Sequence, residues 1–227
     1  MQLEVHRIVL GITSCYLIRH QAVALVDCGT AGQWDALDRA IRGLNLGITA
    51  SDISLLVLTH GHFDHVGSAS QIAERAHARV AIHQQDARWL AQGQQAPARP
   101  ATRWARILSM GMTFSPISSM LRFPGQPADL VLADEDMPLH PYGIPGRVIH
   151  TPGHTSGSVS LVLDDGQAMV GDLVMNGFPS LSRRPDWPII AEDMQQVRAS
   201  WGRLLREGVH TACPGHGRPF PAAAIAP

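Results

Sequence analysis

Four side chains that can bind a metal ion lie together in one short stretch of the sequence. The apolar run Leu55-Leu56-Val57-Leu58 is typical of a buried strand, and the stretch His60-Gly61-His62-Phe63-Asp64-His65 follows after one residue. The first two histidines are two residues apart, so an extended backbone directs both rings to the same side. The aspartate and the third histidine follow where the chain is predicted to turn into a helix. Imidazole and carboxylate ligands suit zinc and neighbouring first-row metals, so the stretch predicts a metal centre that could hold two ions.

The stretch resembles the His-x-His-x-Asp-His signature of the metallo-β-lactamase fold superfamily, and four further motifs resemble that family in the same order. They are Asp27 in Val-Asp-Cys-Gly, His154 in Thr-Pro-Gly-His-Thr-Ser-Gly-Ser, Asp172 in Val-Gly-Asp and His216 in Pro-Gly-His-Gly. The resemblance covers nearly the whole chain. It implies an α/β (α+β) fold, a four-layer αβ/βα sandwich with the metals at the sheet edges, and one domain over residues 1–227.

The resemblance also implies how the ligands divide between two Zn²⁺ ions, with iron or manganese as alternatives. The first ion would be bound by His60, His62 and His154. The second would be bound by Asp64, His65 and His216, and Asp172 would bridge both. A water or hydroxide between the ions would attack a substrate carbonyl.

Two carboxylates are the candidate catalytic residues under this resemblance. Asp172 bridges the ions, and Asp64 would also accept a proton as the reaction intermediate collapses. Asp27 is expected to orient a ligand histidine or the ligand loop, although an aspartate at such a turn could also be a simple cap.

The substrate class is narrowed, but not fixed, by departures from better-known relatives. Asp172 stands where the best-known zinc β-lactamases of this fold carry cysteine, which disfavours an antibiotic substrate. The sequence continues for eleven residues after His216, so we expect a protein that resembles the shorter bacterial glyoxalase II-like proteins, which lack the helical domain with which glyoxalase II enzymes bind glutathione. Related lactonases use a tyrosine near the metals to position the lactone. The two tyrosines here, Tyr16 and Tyr142, do not follow Asp172 closely, which partly disfavours a lactone substrate. The prediction is a hydrolase for a thioester, a lactone or a related ester.

Two alternatives come from other classes of protein. One is a mononuclear iron oxidoreductase that resembles the persulfide dioxygenases of this fold and uses only the first metal. The complete second ligand set of Asp64, His65 and His216 disfavours it. The other is a binding or signalling protein without turnover.

Residues 84–128 form an insertion rich in methionine and phenylalanine. By resemblance it would lie over the metal cleft as an apolar lid, with Met112 and Phe114 as candidate substrate contacts. Helices packed on the sandwich, or a homodimer contact, would explain the same composition. Arg183 and Arg184 could bind a substrate carboxylate, or could be a solvated pair.

Composition excludes several other functions. The chain has 227 residues, is 45% hydrophobic and 16% charged, and has a net charge of −1, which is typical of one globular domain. All eighteen basic residues are arginine, so lysine Schiff-base chemistry is excluded. No basic run indicates nucleic-acid or membrane binding, and the expected partner is a small-molecule substrate. No signal peptide or transmembrane segment is predicted, and we expect a cytoplasmic protein with three unpaired cysteines.

Periodicity and turn residues predict the elements that must position these side chains. Strands are predicted at residues 5–12, 15–18, 23–26, 55–58, 79–83, 147–150, 159–163, 167–170 and 209–213. Helices are predicted at residues 34–44, 68–78 and 194–205, and a surface linker at 92–102. Each predicted metal ligand except Asp64 and His65 then follows a strand directly or within a few residues.

Overall fold

Two β-sheets pack face to face in the computed structural model, which describes residues 2–97, 99–101, 121–180 and 184–226. The strands of the first sheet follow chain order: β1 (Glu4–Leu10), β2 (Thr13–Arg19), β3 (Val23–Val26), β4 (Leu55–Val57), β5 (Arg79–His83) and β6 (Leu130–Leu132). The first three pair antiparallel, and β3 to β6 pair in parallel. Every residue of β4 is buried, as expected for a parallel strand covered on both faces.

The second sheet runs in the order β12-β11-β10-β9-β8-β7. Its strands are β7 (Met137–Pro138), β8 (Gly146–His150), β9 (Val159–Leu163), β10 (Gln167–Gly171), β11 (Thr211–Pro214) and β12 (Phe220–Pro221). The pairs are antiparallel except β10 with β11, which run in parallel. The turn Asp164-Asp165-Gly166, a sequence typical of hairpins, joins β9 to β10, and Gly166 adopts a left-handed φ of 84°.

The α-helices of the described residues are α1 (Trp34–Gly43), α2 (Phe63–Val66), α3 (Ala69–Ala76), α4 (Gln84–Gln92) and α5 (Met194–Arg206), and short 3-10 helices lie at Ala50–Asp52, His140–Tyr142 and Ala222–Ala224. Leu37 and Ile41 of α1 and Ile72 of α3 pack against the outer face of the first sheet. Trp201 of α5 is buried against the second sheet. A third apolar cluster lies between the two sheets. These layers confirm the four-layer αβ/βα sandwich. None of the described helices is long and apolar enough to span a bilayer.

The predicted elements agree with the structure to within a few residues, but the short strands β6, β7 and β12 and helix α4 are not predicted. Helix α4 occupies the start of the insertion at 84–128, where no helix is predicted, because Leu90 is its one buried apolar residue. The helix ends at Gln92, where the linker is predicted to begin, and Gly93 stops it with a left-handed φ of 63°. Phe123, near the other end of the insertion, packs into the core of the first sheet.

Candidate metal centre

The seven predicted ligands come together at one edge of the sandwich, on loops that leave the carboxyl ends of strands. Four of the ligands, His60, His62, Asp64 and His65, follow β4. His154 follows β8, Asp172 follows β10 and His216 follows β11. All seven are buried, and none is more than 7% exposed. Two packed sheets therefore assemble a centre from residues up to 156 positions apart.

The first trio, His60, His62 and His154, places three ring nitrogens in contact. Nε2 of His60 lies 3.1 Å from Nδ1 of His62, and Nε2 of His154 lies 3.0 Å from the same atom. The planes of the three rings cross at 81–87°. Their lone pairs can therefore converge on one point, as tetrahedral coordination by three protein ligands requires.

The second trio, Asp64, His65 and His216, is equally close. Nε2 of His216 lies 3.3 Å from Oδ2 of Asp64 and 3.4 Å from Nε2 of His65. Thr13 donates a 2.8 Å hydrogen bond to the backbone carbonyl of Asp64, which fixes this end of α2.

Asp172 lies between the two trios. Its Oδ2 is 3.7 Å from Nε2 of His154 and 3.3 Å from Nε2 of His216, and its Oδ1 is 3.5 Å from Nε2 of His65. Oδ1 is buried and has no hydrogen-bond partner. The carboxylate is thus placed to contact cations on both sides.

Hydrogen bonds on the far side of the rings determine which nitrogens carry lone pairs. His154 donates from Nδ1 to the carbonyl of Ile190 at 2.7 Å, and His216 donates from Nδ1 to the carbonyl of Ile12 at 3.0 Å. In neutral rings, Nε2 is then unprotonated and faces the centre. Such outer hydrogen bonds are how metal-binding histidines are held. Converging lone pairs beside an unpartnered carboxylate oxygen fit metal cations, and we conclude that these residues suit the ions that the resemblance implies.

Asp27 supports both trios from behind. Its Oδ2 accepts a 2.8 Å hydrogen bond from Nδ1 of His65. The hydroxyl of Thr59 donates to the same carboxylate at 2.8 Å, so it is left to accept from Nδ1 of His60 at 3.0 Å. The expectation that Asp27 orients a ligand histidine therefore agrees with its contacts, which exceed those of a turn cap.

The electrostatics differ between the two trios. Burial and the neighbouring histidines lower the pKa of His60, of His154 and of His62, the last to about 3. Burial would also lower the pKa of His65, but Asp172 and Asp27 outweigh it and raise the value to about 9. The first trio is therefore neutral at pH 7 in the metal-free protein.

The carboxylates and His216 respond to each other in the same way. Burial would lower the pKa of His216, but Asp172 raises it well above its usual range. Burial would raise the pKa of Asp64, but His65 and His216 lower it to about 2. Burial acts likewise on Asp172, whose pKa is nevertheless held low by His216 and His65.

Asp86 is a buried carboxylate at the centre that sequence patterns did not single out. It lies in the first turn of α4 and is 1% exposed. Its Oδ2 accepts hydrogen bonds from the backbone of Gly61 and the hydroxyl of Thr155, both at 2.8 Å. An acidic residue near a helix N-terminus is common for dipole reasons alone, so no sequence signal distinguished it.

A further cluster, His83, Asp134 and His150, shares no residue with this centre, and its geometry does not fit a metal ion. Nε2 of His83 and Nδ1 of His150 lie 3.1 Å and 3.4 Å from Oδ1 of Asp134. The two rings are stacked, with 12° between their planes and 4.0 Å between their centroids, so their in-plane lone pairs run side by side and do not converge. The cluster instead links the ends of β5 and β8.

An apolar cavity of about 330 Å³ opens onto the metal centre. Its described lining combines five of the ligands with Ile12, Phe63, Gln95, Met175, Phe178, Pro179, Ile189 and Ile190. Phe178 is 63% exposed at the rim. Gln95, within the insertion, is the uncharged polar side chain of this lining, and its Oε1 is buried without a partner.

The predicted substrate residues are placed only in part. Met112, Phe114 and Arg183 lie outside the described residues, so the predicted lid of 84–128 is described only at its two ends. Arg184 is described, and it is not among the residues that line the cavity.

Comparison with known proteins gives one family match over most of the chain. The family described as the metallo-beta-lactamase superfamily matches residues 8–216. The probable metallo-hydrolase MJ0888 of Methanocaldococcus jannaschii is 26% identical over 210 residues, which are 90% of this chain and 87% of that protein. The probable metallo-hydrolase YflN of Bacillus subtilis is 32% identical over 129 residues, which are 54% of this chain and 45% of YflN. The matched part thus spans about half the length of YflN, and likewise 50% of the Bacillus subtilis protein YqgX.

Solved structures share the fold. The BLEG-1 B3 metallo-beta-lactamase superposes with a TM-score of 0.68 at 22% identity, over 97% of this chain and 95% of its own. A metallo-beta-lactamase family protein of Thermus thermophilus gives a TM-score of 0.68 at 23% identity, over 98% of this chain and 75% of its own. At these identities the likeness concerns the fold alone.

Proposed function

The chain belongs to the metallo-beta-lactamase superfamily, and we propose that it is a zinc-dependent hydrolase with two ions that cleaves a thioester, a lactone or a related ester. One observation carries the proposal: the nitrogens of five histidines converge on the carboxylates of Asp64 and Asp172 at the base of an apolar cavity. Two bound ions would make a water nucleophilic at neutral pH and would polarise a carbonyl.

The residues of the chain have distinct tasks in this proposal. His60, His62 and His154 hold the first ion, and Asp64, His65 and His216 hold the second. Asp172 contacts ligands of both sets. Asp64 lines the cavity, and its pKa of about 2 keeps it ionised at neutral pH, as a metal ligand requires. In the proposal it also receives a proton as the intermediate collapses.

The cavity favours an uncharged, apolar acyl group. Apart from the metal ligands, its described walls are aliphatic, aromatic, proline and methionine side chains with the single amide of Gln95. Such walls bind by excluding water from apolar surface, and a few polar groups then set the orientation. A free substrate carboxylate on the acyl group, away from the proposed ions, would lose its hydration there, and no arginine is among the described lining residues to compensate.

The experiment pairs metal analysis with two hydrolysis assays on the same preparation. Zinc-loaded protein should contain two ions per chain. Release of thiol from S-lactoylglutathione and release of protons from a long-chain acyl-homoserine lactone are then measured, and we expect the lactone to be the better substrate. Asp172→Ala should abolish either activity, whereas Asp35→Ala, which removes an exposed carboxylate paired loosely with Arg75 at 3.8 Å, should not.

Two outcomes would contradict the proposal. About one iron per chain, with oxygen consumption on a persulfide, would place the protein with the mononuclear oxidoreductases of this fold. Absence of turnover on both substrates and on a broader ester panel, with two ions bound, would indicate a binding protein.

A further inference from the structure

The carboxylate of Asp86 contacts both loops that carry the first trio of histidines. Gly61, between His60 and His62, donates its backbone N–H to Oδ2 of Asp86 at 2.8 Å. Thr155, directly after His154, donates its hydroxyl to the same oxygen at 2.8 Å. The two loops belong to different sheets, following β4 and β8. One side chain on α4 thus joins them.

The surrounding hydrogen bonds make this contact specific. Thr155 has one hydroxyl proton and donates it to Asp86, so its Oγ1 is left to accept from Oγ of Ser158 at 3.0 Å. Oγ of Ser158 in turn accepts the backbone N–H of Thr155 at 2.9 Å. A buried carboxylate is costly unless its oxygens accept hydrogen bonds, so the loops and Asp86 stabilise each other's positions.

Two glycines allow the loops to approach Asp86 so closely. A Cβ on Gly157 would lie 2.6 Å from Cγ of Asp86, and a Cβ on Gly61 would lie 3.3 Å from its Cβ. The first distance is shorter than a side chain tolerates, so an alanine at 157 would have to push the His154 loop away from Asp86.

We propose that Asp86 is a positioning residue for the first ion, because it sets the distance between His154 and the pair His60 and His62. This rests on the two-ion site of the proposed function. The second ion does not depend on Asp86 in the same way. His65 is held by Asp27, and His216 is held by the carbonyl of Ile12. Loss of Asp86 should therefore lower the affinity for the first ion and leave the affinity for the second ion unchanged.

The test measures binding of each ion, not activity alone. Asp86→Ala and Thr155→Val are titrated with zinc and with cobalt, whose absorption bands report coordination. Loss of an outer hydrogen-bond partner commonly weakens metal affinity by about 10–100-fold. We expect Asp86→Ala to lose affinity for the first ion by this factor, and Thr155→Val to lose less affinity for the same ion. Thr155→Ser and the surface control Asp35→Ala should bind both ions with near wild-type affinity.

Two reference variants identify which ion is affected. His154→Ala removes a ligand of the first ion, and His216→Ala removes a ligand of the second. The cobalt spectrum of singly loaded Asp86→Ala should match that of His154→Ala. A match to His216→Ala, equal weakening of both ions, or two ions bound as tightly as in the wild type would overturn the proposal.

Folding is followed by thermal unfolding of the metal-free proteins. If Asp86→Ala does not fold, the proposal is tested with Thr155→Val and Gly157→Ala. Each should lower the affinity for the first ion alone, and unchanged affinity in both variants would overturn the proposal. A wild-type protein that binds fewer than two ions contradicts the proposed function itself. A wild-type protein that binds two ions, with Asp86 variants that bind both ions equally tightly, would overturn only the proposed role of Asp86.

Discussion

Oδ2 of Asp27 and Nδ1 of His65 lie 2.8 Å apart in a fully buried pair that joins the end of β3 to the metal loop. Asp27 adopts a left-handed φ of 58°, which aspartate tolerates better than most residues. The same carboxylate accepts the backbone N–H of Thr59 at 2.8 Å. The turn after β3 therefore fixes the start of the metal loop and the tautomer of one ligand together.

Replacement of Asp27 by alanine should lower the affinity for the second ion more than the affinity for the first. His65 would lose its carboxylate partner directly, whereas His60 would lose only the orientation of Thr59. We expect the affinity for the second ion to fall by about 10–100-fold. Competition with a chelator, with Asp35→Ala as the surface control, measures this. Preferential loss of the first ion would contradict it.

Zinc binding should release protons in an order set by the two trios. His65, with a pKa of about 9, and His216, with a raised pKa, carry protons at pH 7 in the metal-free protein. They must lose them to coordinate, so the second ion should release about two protons and the first almost none. Raising the pH from 6 to 8 should therefore increase the affinity for the second ion. Calorimetry in buffers of different ionisation enthalpy counts the protons, and equal release by both ions would exclude this order.

Activity of the loaded protein should fall as the pH drops below about 6, because protons then compete with the second ion for His65 and His216, whose pKa values are raised in the metal-free protein. Added zinc should restore part of the lost rate at pH 5.5. A rate that stays constant down to pH 4 would exclude a histidine-bound metal as the source of activity.

The three cysteines should be inert in the folded protein. Cys15, Cys28 and Cys213 are buried and unpaired. Burial raises the pKa of all three thiols, to about 12 for Cys213, so the reactive thiolate is scarce at pH 8. A chromogenic disulfide reagent should therefore label no thiol in native protein and three after unfolding. Rapid labelling of Cys28, whose Sγ donates to the carbonyl of His65 at 3.1 Å, would show that the metal loop opens.

The metal ligands could be predicted because their signals are local. His60, His62, Asp64 and His65 share one turn, and each remaining ligand lies in its own short motif. The strand before each motif is apolar and β-branched enough to be found by pattern.

The contacts of Asp86 could not be predicted in this way. Its partner Thr155 is 69 residues away, and only the packing of the two sheets brings them together. Helix α4 shows the same limit, because it buries the carboxylate of Asp86 beside Leu90 in place of a continuous apolar face. The pairing of His83 with His150 likewise depends on how the ends of β5 and β8 meet.

Gln95 should orient the substrate in the cavity. Its Oε1 is buried without a partner in the cavity that contains His62 and Asp172. The adjacent Ala96 donates its N–H to the carbonyl of Gly61 at 2.9 Å, which fixes this part of the insertion to the metal loop. The oxygen of a carboxamide accepts hydrogen bonds, so an N–H or O–H group of the substrate can donate to Oε1 and satisfy it.

Gln95→Met keeps the size of the side chain and removes both polar groups. We expect kcat/KM to fall by about fivefold to tenfold, the loss of one ordinary hydrogen bond, with metal content unchanged. Gln196→Met on the exposed start of α5 is the matched control and should not alter kcat/KM. An equal or higher kcat/KM in Gln95→Met for every substrate that the wild type hydrolyses would mean that the amide does not meet the substrate. A loss of bound metal would instead assign Gln95 to the support of the metal loop.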